Sequence, residues 1–425
     1  MGLLLFYFYR WILWPIATLV LFLLKPLIRG KLQEISGERQ KNQWVFLKNP
    51  KTSIERPIWI HAASGEIEYA RPLIREFKKQ FPHIPVVVTY SSPSAKRILQ
   101  KMLEVDAWGP SPWDSVFSCR NFLARVNPRS VYFSRTDVWP EISYQLRQKK
   151  IPTTLFSATF AKNSSRLKGL SKYLTVWTLR QLTNVLVVAE EDQSLLQNCG
   201  FPGALVAGDT RYDQVFYRLA HPQKVHEISK PSGFKVLVAG STWPEDEAVL
   251  FSWFVESRKK KSVKLLLAPH EISTERLKKI KDFFKENEIQ TQLYTESSPW
   301  TADVLIVDQI GVLAELYSWG HAAFVGGSFR RQVHSVMEPL ACGIPVCLGP
   351  FHLNNREALE FQKIAVPLPA GDHALVRCVR SIQDLEIFWQ EAQALKPQDH
   401  LALQRIIAAK KGATQQILQS FDISI

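Results

Sequence analysis

The chain has 425 residues, which is more than one ordinary hydrophobic core supports and favours two domains with an appendage. With 46% hydrophobic and 22% charged residues, the composition is that of a globular protein and excludes a mainly disordered chain. The formal net charge of +14 indicates anionic partners, either acidic lipid or phosphorylated small molecules. Nucleic acid is not expected, because the basic residues are scattered and no zinc finger, RNP sequence or basic zipper is present.

The first predicted element is the apolar segment Leu3–Leu24, whose length suits one bilayer crossing at ~1.5 Å per helical residue. Arg10 is expected to snorkel toward the membrane interface, and Pro15 is tolerated in a membrane helix. Lys25 and Arg29 follow directly, so the positive-inside rule places the remaining chain on the cytoplasmic side. No small-residue cleavage site follows, and a removed signal peptide is not expected. The alternative to a spanning helix is a monotopic helix in the interface.

Five cysteines are present, none in a CxxC pair, and their odd number argues against a disulfide framework. We therefore expect a reducing compartment and cysteines that act as small apolar core residues.

Short apolar runs rich in β-branched residues recur along the chain, alternating with stretches of helical period such as Glu68–Gln80 and Glu275–Asn287. Runs of this kind are typical of parallel strands buried on both faces, and their alternation with helices predicts βαβ units. The predicted strands are Ile58–His61, Val86–Tyr90, Ser130–Phe133, Thr153–Ser157, Val185–Ala189, Ala204–Gly208, Lys235–Gly240, Lys264–Ala268, Asp303–Val307, Ala322–Gly326 and Pro345–Gly349.

A polar segment rich in proline and glycine, His221–Gly233, is interpreted as an interdomain linker. We predict an anchor over residues 1–30 and two Rossmann-like domains, over 31–222 and 223–400. The last segment, 401–425, is predicted to be a C-terminal helix that is able to pack back on the first domain. Ligands of doubly wound sheets bind at the carboxyl ends of the strands, and in two such lobes these ends can face each other across a cleft.

The first cluster at a predicted strand end is HAASGE, from His61 to Glu66. A carboxylate after glycine at this position can act as a general base. The alternative is purely structural: Ser64 caps the following helix and Glu66 complements its dipole.

Two further clusters follow strands of the second half. In GSTWPE, backbone N–H groups and the hydroxyls of Ser241 and Thr242 suit a phosphate, although a capped helix with proline in its first turn fits equally well. In GGSFRRQVH, which leads into the helix at Glu338, a glycine pair allows close backbone approach and two arginines accompany a histidine. This is the strongest anion-binding pattern in the chain, and its residues of interest are Gly327, Ser328 and His334.

Two more segments, SRTDVWP and GDTRYD, place Asp137 and Arg211 near strand ends of the first half. Arg211 is able to stabilise negative charge, or to form a surface turn with a neighbouring aspartate. His270 follows another predicted strand. No GxxxxGK[ST], HExxH, GxGxxG or metal-ligand cluster is present, so neither a metal nor a dinucleotide cofactor is expected.

The segments WIHAASGE, SRTDVWPE, AGDTRYD, AGSTWPEDE, APHE and FVGGSFRRQVHSVMEPLACGIPVCLGP together resemble the 3-deoxy-manno-octulosonic acid (Kdo) transferases of lipid A and lipopolysaccharide synthesis. Each segment is weak alone, and their joint order and spacing carry the resemblance. It implies a GT-B fold, no metal, and inverting transfer of Kdo from CMP-Kdo to a lipid A precursor (lipid IVA). It also implies that the domain over 31–222 binds the acceptor and the domain over 223–400 binds the CMP-sugar donor. It also implies an inner-membrane protein whose catalytic body is cytoplasmic and whose partners include membrane phospholipids.

Carried onto this chain, the resemblance implies that Glu66 is the general base and that Asp137 and Arg211 stabilise the transition state. The positions that resemble CMP-binding ones are Pro269, His270, Ile310, Gly311, Val312, Ser335, Val336, Met337 and Glu338.

Two alternatives remain open at this point. One is a GT-B transferase that uses another nucleotide sugar. The other is a catalytically impaired homologue that binds a lipid A precursor, since the loop before Glu66 is one residue shorter than is usual in the family.

Overall fold

The computed structural model describes residues 1–24, 33–34, 37, 39, 45–46, 54–222, 230–258, 263–296, 299–330, 333–368 and 371–420. The chain forms two compact units, Met1–Gln214 with Lys410–Ile425, and Val215–Ala409. The domain boundaries predicted at residues 30, 222 and 400 stay predictions. Part of the predicted linker (residues 223–229) lies outside the described residues, as do Lys25 and Arg29.

The N-terminal segment is helical throughout: α1 (Gly2–Phe8), a π-helical turn (Tyr9–Leu13) and α2 (Trp14–Leu23). The stretch Gly2–Val20 is long and apolar enough to cross a membrane, with a mean hydropathy of 1.6.

Its first half nevertheless packs on the first unit. Phe6 is fully buried and stacks on Trp177 at 4.0 Å between ring centroids. Arg10 forms an ion pair with the buried carboxylate of Glu141, with Nε 3.2 Å from Oε2. The prediction that Arg10 snorkels toward lipid headgroups is therefore wrong, because a buried acid in the body neutralises it. The outward face of the helix is apolar, which suits the monotopic alternative.

The first unit is built on one sheet whose described strands lie in the order β1-β4-β3-β2-β5-β6-β7-β8. These strands are β1 (Val45–Phe46), β2 (Ile58–His61), β3 (Val86–Tyr90), β4 (Ala107–Pro110), β5 (Ser130–Ser134), β6 (Thr153–Ala158), β7 (Asn184–Val187) and β8 (Ala204–Val206). The seven strands β2–β8 are parallel, and β1 pairs antiparallel with β4.

Helices follow most of these strands, as predicted for βαβ units. They are α3 (Ile67–Gln80), α4 (Lys96–Leu99), α5 (Val116–Val126), α6 (Pro140–Gln148), α7 (Gly169–Leu179), α8 (Glu190–Asn198) and α9 (Thr210–Ala220), which runs past the end of this unit. The sheet is covered on both faces by apolar clusters, one centred on Ile60 and Phe77 and the other on Trp59 and Phe133. Burial on both faces explains why the strand sequences are nearly continuous apolar runs.

The second unit contains a parallel sheet whose described strands lie in the order β11-β12-β10-β9-β13-β14-β17, and a hairpin of β15 and β16. These strands are β9 (Lys235–Thr242), β10 (Val263–Pro269), β11 (Thr291–Leu293), β12 (Val304–Ile306), β13 (Ala322–Val325), β14 (Val346–Leu348), β15 (Ala365–Leu368), β16 (Gly371–Ala374) and β17 (Val376–Cys378). The helices are α10 (Pro244–Arg258), α11 (Thr274–Glu286), α12 (Leu313–Leu316), α13 (Met337–Ala341), α14 (Arg356–Gln362), α15 (Ile382–Ala394) and α16 (Pro397–Ala408). The final helix, α17 (Ala413–Gln419), belongs to the first unit.

Every predicted strand is present, and its ends differ from the observed ones by at most two residues. All five cysteines are free thiols, and Cys119 and Cys347 are buried, so the prediction of no disulfide framework is confirmed.

Candidate active site

The carboxyl ends of β2, β3 and β5 in the first unit carry a partly buried polar network centred on Asp137. Asp137 Oδ2 lies 2.9 Å from His61 Nε2 and accepts a hydrogen bond from the Ser91 hydroxyl at 3.0 Å. The indole N–H of Trp139 donates to the other carboxylate oxygen at 2.9 Å. These side chains come from three strand ends, where doubly wound sheets hold ligands.

The same network fixes the His61 ring from its other side. His61 Nδ1 lies 2.8 Å from the Thr89 hydroxyl, and that hydroxyl accepts a hydrogen bond from the Trp59 indole at 2.8 Å. Since a hydroxyl has one proton, donation from Thr89 to Nδ1 leaves the His61 proton on Nε2, where it faces Asp137. In this arrangement each donor of the network faces an acceptor.

The carboxyl group of Asp137 is held ionised. Burial alone would raise its pKa, but the hydrogen bonds from His61, Ser91 and Trp139 lower the pKa from 3.8 to about 2. The network therefore keeps a fixed negative charge at the sheet edge at every physiological pH.

Glu66 lies beside this charge, at the start of α3. Its carboxylate accepts a hydrogen bond from the backbone N–H of Ala63 at 3.3 Å. Burial raises the pKa of Glu66 above its usual value; the Ala63 bond lowers it, and the charge of Asp137 raises it further. A carboxyl group with a raised pKa is better matched to general base catalysis than an exposed one. The helix start shows no side-chain cap hydrogen bond, so Ser64 does not cap it.

Arg211 lies in the first turn of α9 and pairs with buried Asp209. Its Nη2 and Nε lie 2.7 and 3.1 Å from Asp209 Oδ2. The guanidinium also stacks over the Tyr69 ring at 4.4 Å, and Arg135 covers the same ring at 5.1 Å. Two cations therefore converge on one aromatic ring of α3, near the Glu66 end of that helix. Asp209 is 3% exposed and orients Arg211.

In the second unit, the glycine pair has a structural role at its first position. A side chain at Gly326 would place its Cβ 2.4 Å from the carbonyl oxygen of Ser241 and 2.6 Å from Thr242 Cα. Gly327 has φ of +88°. The loop after β13 thus crosses directly against the end of β9, and glycine is required because backbone meets backbone.

The N–H groups of this crossing are occupied by buried Asp246. Its carboxylate accepts hydrogen bonds from Gly327 N–H at 2.7 Å, Trp243 N–H at 2.9 Å and Phe329 N–H at 3.1 Å. These backbone donors are those that the sequence suggested for a phosphate. They are used instead to fasten the start of α10 to the glycine loop.

Ring systems and a cation surround the same strand ends. His270, which follows β10, stacks on Trp243 with centroids 4.4 Å apart, and His334 lies 4.7 Å from His270. The Arg330 guanidinium lies over the Trp243 ring, 4.4 Å from its centroid. His334 Nε2 is buried and has no hydrogen-bond partner among the described residues. Burial and the neighbouring His270 lower the pKa of His334 to about 4, so this ring is neutral at pH 7.

Several other predicted donor residues are held by neighbours within the second unit. Ser328, Val336 and Met337 are buried. The Ser328 hydroxyl accepts a hydrogen bond from the backbone N–H of Gly349. Thr242 is also buried, and its hydroxyl donates to Glu247 at 2.8 Å. Ser335 accepts from the N–H of Met337 at 3.2 Å, as a cap does at a helix start.

Glu338 and the turn at residues 310–312 also belong to the second unit. Glu338 lines a cavity of about 200 Å³ together with Arg218 and Glu315. Arg218 bridges the turn, since its Nη2 lies 3.3 Å from both the Gly311 carbonyl and Glu315 Oε2. Ile310 is 82% exposed, whereas Val312 is buried. Pro269 ends β10 directly before His270.

Sequence reasoning missed four of the residues that form these sites: Thr89, Ser91, Asp209 and Asp246. The rule that ligands lie at strand ends points to Ser91, which follows β3 directly. Asp209 lies two residues before Arg211, and the alternative of a turn between Arg211 and a neighbouring aspartate pointed to it. No local pattern signals the role of Thr89 or the bonds of Asp246 to Gly327 and Phe329, because these partners are distant in sequence. Among the residues that the structure describes, no group of three histidine, cysteine, aspartate or glutamate side chains is placed to hold a metal ion.

Comparison with known proteins gives a consistent result. The family model of 3-deoxy-D-manno-octulosonic-acid transferases matches residues 34–214. The transferase of that name from Aquifex aeolicus is 29% identical over 321 residues, covering 73% of this chain and 82% of the relative. The one from Haemophilus influenzae is 27% identical over 342 residues, covering 75% of this chain and 77% of the relative.

Solved structures support the fold alone. UDP-GlcNAc 2-epimerase from Neisseria meningitidis has a TM-score of 0.59 at 14% identity, covering 86% of this chain and 99% of that one. MurG from Acinetobacter baumannii has a TM-score of 0.50 at 12% identity, covering 85% and 98%. Two parallel sheets flanked by helices and these neighbours confirm the predicted GT-B fold. Together, the family match over residues 34–214 and the curated relatives support one family for this chain, the 3-deoxy-D-manno-octulosonic acid transferases, which are glycosyltransferases.

Proposed function

We propose that this enzyme transfers Kdo from CMP-Kdo to a lipid A precursor such as lipid IVA, with inversion at the anomeric carbon and without a metal ion. The observation that carries the proposal is the Glu66 carboxyl group, whose pKa is raised by burial beside the permanent charge of Asp137. Together with the family, this group supplies the one base that a direct displacement needs.

In the proposed step, an acceptor hydroxyl oxygen attacks the anomeric carbon of Kdo, and the bond from that carbon to the CMP phosphate oxygen breaks. The electron pair leaves with CMP, and the hydroxyl proton passes to Glu66. One displacement inverts the anomeric carbon. Arg211 offers positive charge to the acceptor side of the reaction, and Asp209 holds its guanidinium in one orientation.

CMP is proposed to bind at the strand ends of the second unit, around Ser241, His270 and His334. The unpartnered Nε2 of His334 suits a hydrogen bond with the nucleotide, and the exposed ring of His270 offers a stacking surface. Arg330 and His270 supply polar donors without any metal. Because the N–H groups of the glycine loop bind Asp246, we expect side chains rather than this loop to contact the phosphate.

We place the enzyme at the cytoplasmic face of the inner membrane. The support is the apolar outward face of the N-terminal helix, where Trp11 and Leu19 are each more than half exposed. The net charge of +14 suits anionic lipid headgroups and a phosphorylated acceptor.

The test is incubation of the full chain with CMP-Kdo and a tetraacylated lipid A precursor, with release of CMP as the readout. Glu66→Gln keeps the shape of the side chain and removes the base, and we expect it to lower kcat by roughly 100-fold to 10,000-fold. Glu76→Gln, on the same helix and partly exposed, is the matched control and should retain full activity. Undiminished CMP release by Glu66→Gln would refute the assigned base.

Donor identity is tested separately by thermal stabilisation. CMP is expected to raise the melting temperature of the wild-type chain, and His334→Ala should reduce that shift. Stabilisation by UDP but not by CMP would instead favour a transferase for another nucleotide sugar.

A further inference from the structure

An apolar cavity of about 240 Å³ lies in the first unit beside the His61–Asp137 network. Four tryptophans contribute to its lining among the described residues: Trp14, Trp59, Trp113 and Trp139. A cavity lined mainly by aromatic and apolar side chains suits a hydrocarbon chain.

One wall of the cavity is formed by the N-terminal helix, and another by the polar network around Asp137. Trp14 starts α2, whose neighbours Leu13 and Ile16 are 47% and 54% exposed and form part of the apolar outward face. His61, another lining residue, is hydrogen-bonded to Asp137. The cavity therefore adjoins both the face that suits a membrane and the network beside the proposed base.

The lining also contains polar side chains, and the one that faces the cavity with an unused donor is Arg39. Its guanidinium lies over the Trp113 ring at 4.3 Å, and Nη2 donates to the Ser111 hydroxyl at 3.0 Å. Its Nε is buried and has no hydrogen-bond partner among the described residues. A buried N–H without an acceptor is costly, and an oxygen at the head of a bound chain would satisfy it.

We propose that this cavity binds one acyl chain of the lipid acceptor, with Arg39 donating to the carbonyl oxygen of that chain's ester or amide linkage. The choice of the acceptor as occupant rests on the proposed function. Binding there would hold the sugar headgroup beside the sheet edge that carries Glu66 and Asp137. It would make transfer sensitive to acyl-chain length, because each methylene buried strengthens binding by roughly fourfold.

The first test is independent of sugar transfer. A monomeric lysophosphatidylcholine whose acyl chain carries bromine is titrated against the full chain, and quenching of tryptophan fluorescence is followed. Pro112→Phe and Ser111→Leu place bulk in the cavity, and Leu103→Phe adds the same ring at an exposed position outside it.

We expect saturable quenching in the wild type and in Leu103→Phe, and binding at least about tenfold weaker in the two blocked variants. No saturable quenching in the wild type, or equal quenching in all four proteins, would overturn the proposal. If the blocked variants do not fold, chain length gives the same test: two fewer methylenes should weaken wild-type binding roughly 15-fold. An affinity independent of chain length would overturn the proposal.

The second test identifies the source of the chain. With CMP-Kdo as donor, Pro112→Phe should raise the KM for a tetraacylated acceptor about tenfold while the KM for CMP-Kdo is unchanged. An unchanged acceptor KM beside lost quenching would show that a membrane phospholipid occupies the cavity, and the assignment to the acceptor would be wrong. Absence of transfer by the wild type would refute the proposed function, while the quenching result would still decide whether the cavity binds a chain.

Discussion

Replacing Asp137 by asparagine removes the charge at the centre of the first unit's polar network while keeping the side chain's shape. The carboxylate accepts hydrogen bonds from three donors: His61 Nε2, the Ser91 hydroxyl and the Trp139 indole. An amide presents one oxygen and one NH₂ group, so at least one of the three donors loses its acceptor. The substitution therefore removes both the charge-assisted bonds and the satisfaction of a buried donor.

The magnitude follows from the pKa of Asp137. A carboxyl group with a pKa of about 2 when folded and 3.8 ordinarily contributes about 2 kcal/mol to the free energy of unfolding at neutral pH. Because the folded pKa is the lower one, this stability is fully present above 3.8 and is lost as the pH falls through 2. About half of it remains at pH 3.

The assay is urea-induced unfolding of the wild type and Asp137→Asn at pH 7, 5 and 3, followed by tryptophan fluorescence. Asp282→Asn is the control, because this carboxylate is half exposed and, among the described residues, its ion pair is with Lys278 in the preceding turn, a contact worth under about 0.5 kcal/mol. We expect a gap of about 2 kcal/mol between Asp137→Asn and the wild type at pH 7, narrowing toward pH 3. A variant as stable as the control at pH 7, or a gap that does not narrow in acid, would refute the reasoning.

Three other predictions follow from the same structure. Since the pKa of Glu66 is raised and its ionised form is the base, kcat/KM should rise with pH through a midpoint above 4.5; a pH-independent rate from 4.5 upward would contradict this. Arg10→Ala should lower the free energy of unfolding by roughly 3 kcal/mol in denaturant titration, because it strands a buried carboxylate on α6, whereas Ala at exposed Trp11 should cost under about 0.5 kcal/mol. Gly326→Ala should lower the melting temperature by roughly 5 °C or more in a thermal shift assay, since its Cβ would overlap the backbone at the end of β9, and Gly203→Ala should change it little; equal shifts would argue against that close crossing.

The order of strands and helices was predictable because strands buried on both faces must be apolar throughout. Runs such as Val86–Tyr90 contain no polar residue that forbids such burial except Thr89, whose hydroxyl is bonded on both sides. The strand β4 was missed because its sequence, AWGP, carries glycine and proline and pairs with the unpredicted edge strand β1.

The glycine pair shows why a correct location does not give a correct role. The sequence places Gly326 at a strand end, and close backbone approach was predicted there. The approaching backbone is that of Ser241, about 85 residues earlier, and Asp246 takes the nearby N–H groups. Contacts between residues so distant in sequence leave no local pattern.

Arg10 was noticed in the sequence, but only one of the two explanations for its position was considered. A charged residue within an apolar segment is costly in lipid, so it either reaches the interface or meets a buried partner. Glu141, in the first turn of α6, is that partner and is fully buried. Its sequence context, a proline followed by an acidic residue, is ordinary for a helix start and gives no sign of burial.

The measurement that tests the account most directly is mass spectrometry of the lipid after incubation of the full chain with CMP-Kdo and a tetraacylated lipid A precursor. The account predicts a mass increase equal to a whole number of Kdo residues, absent when Glu66→Gln replaces the wild type and retained with Glu76→Gln. An acceptor of unchanged mass with the folded wild-type chain, or an increment that matches another sugar, would contradict it.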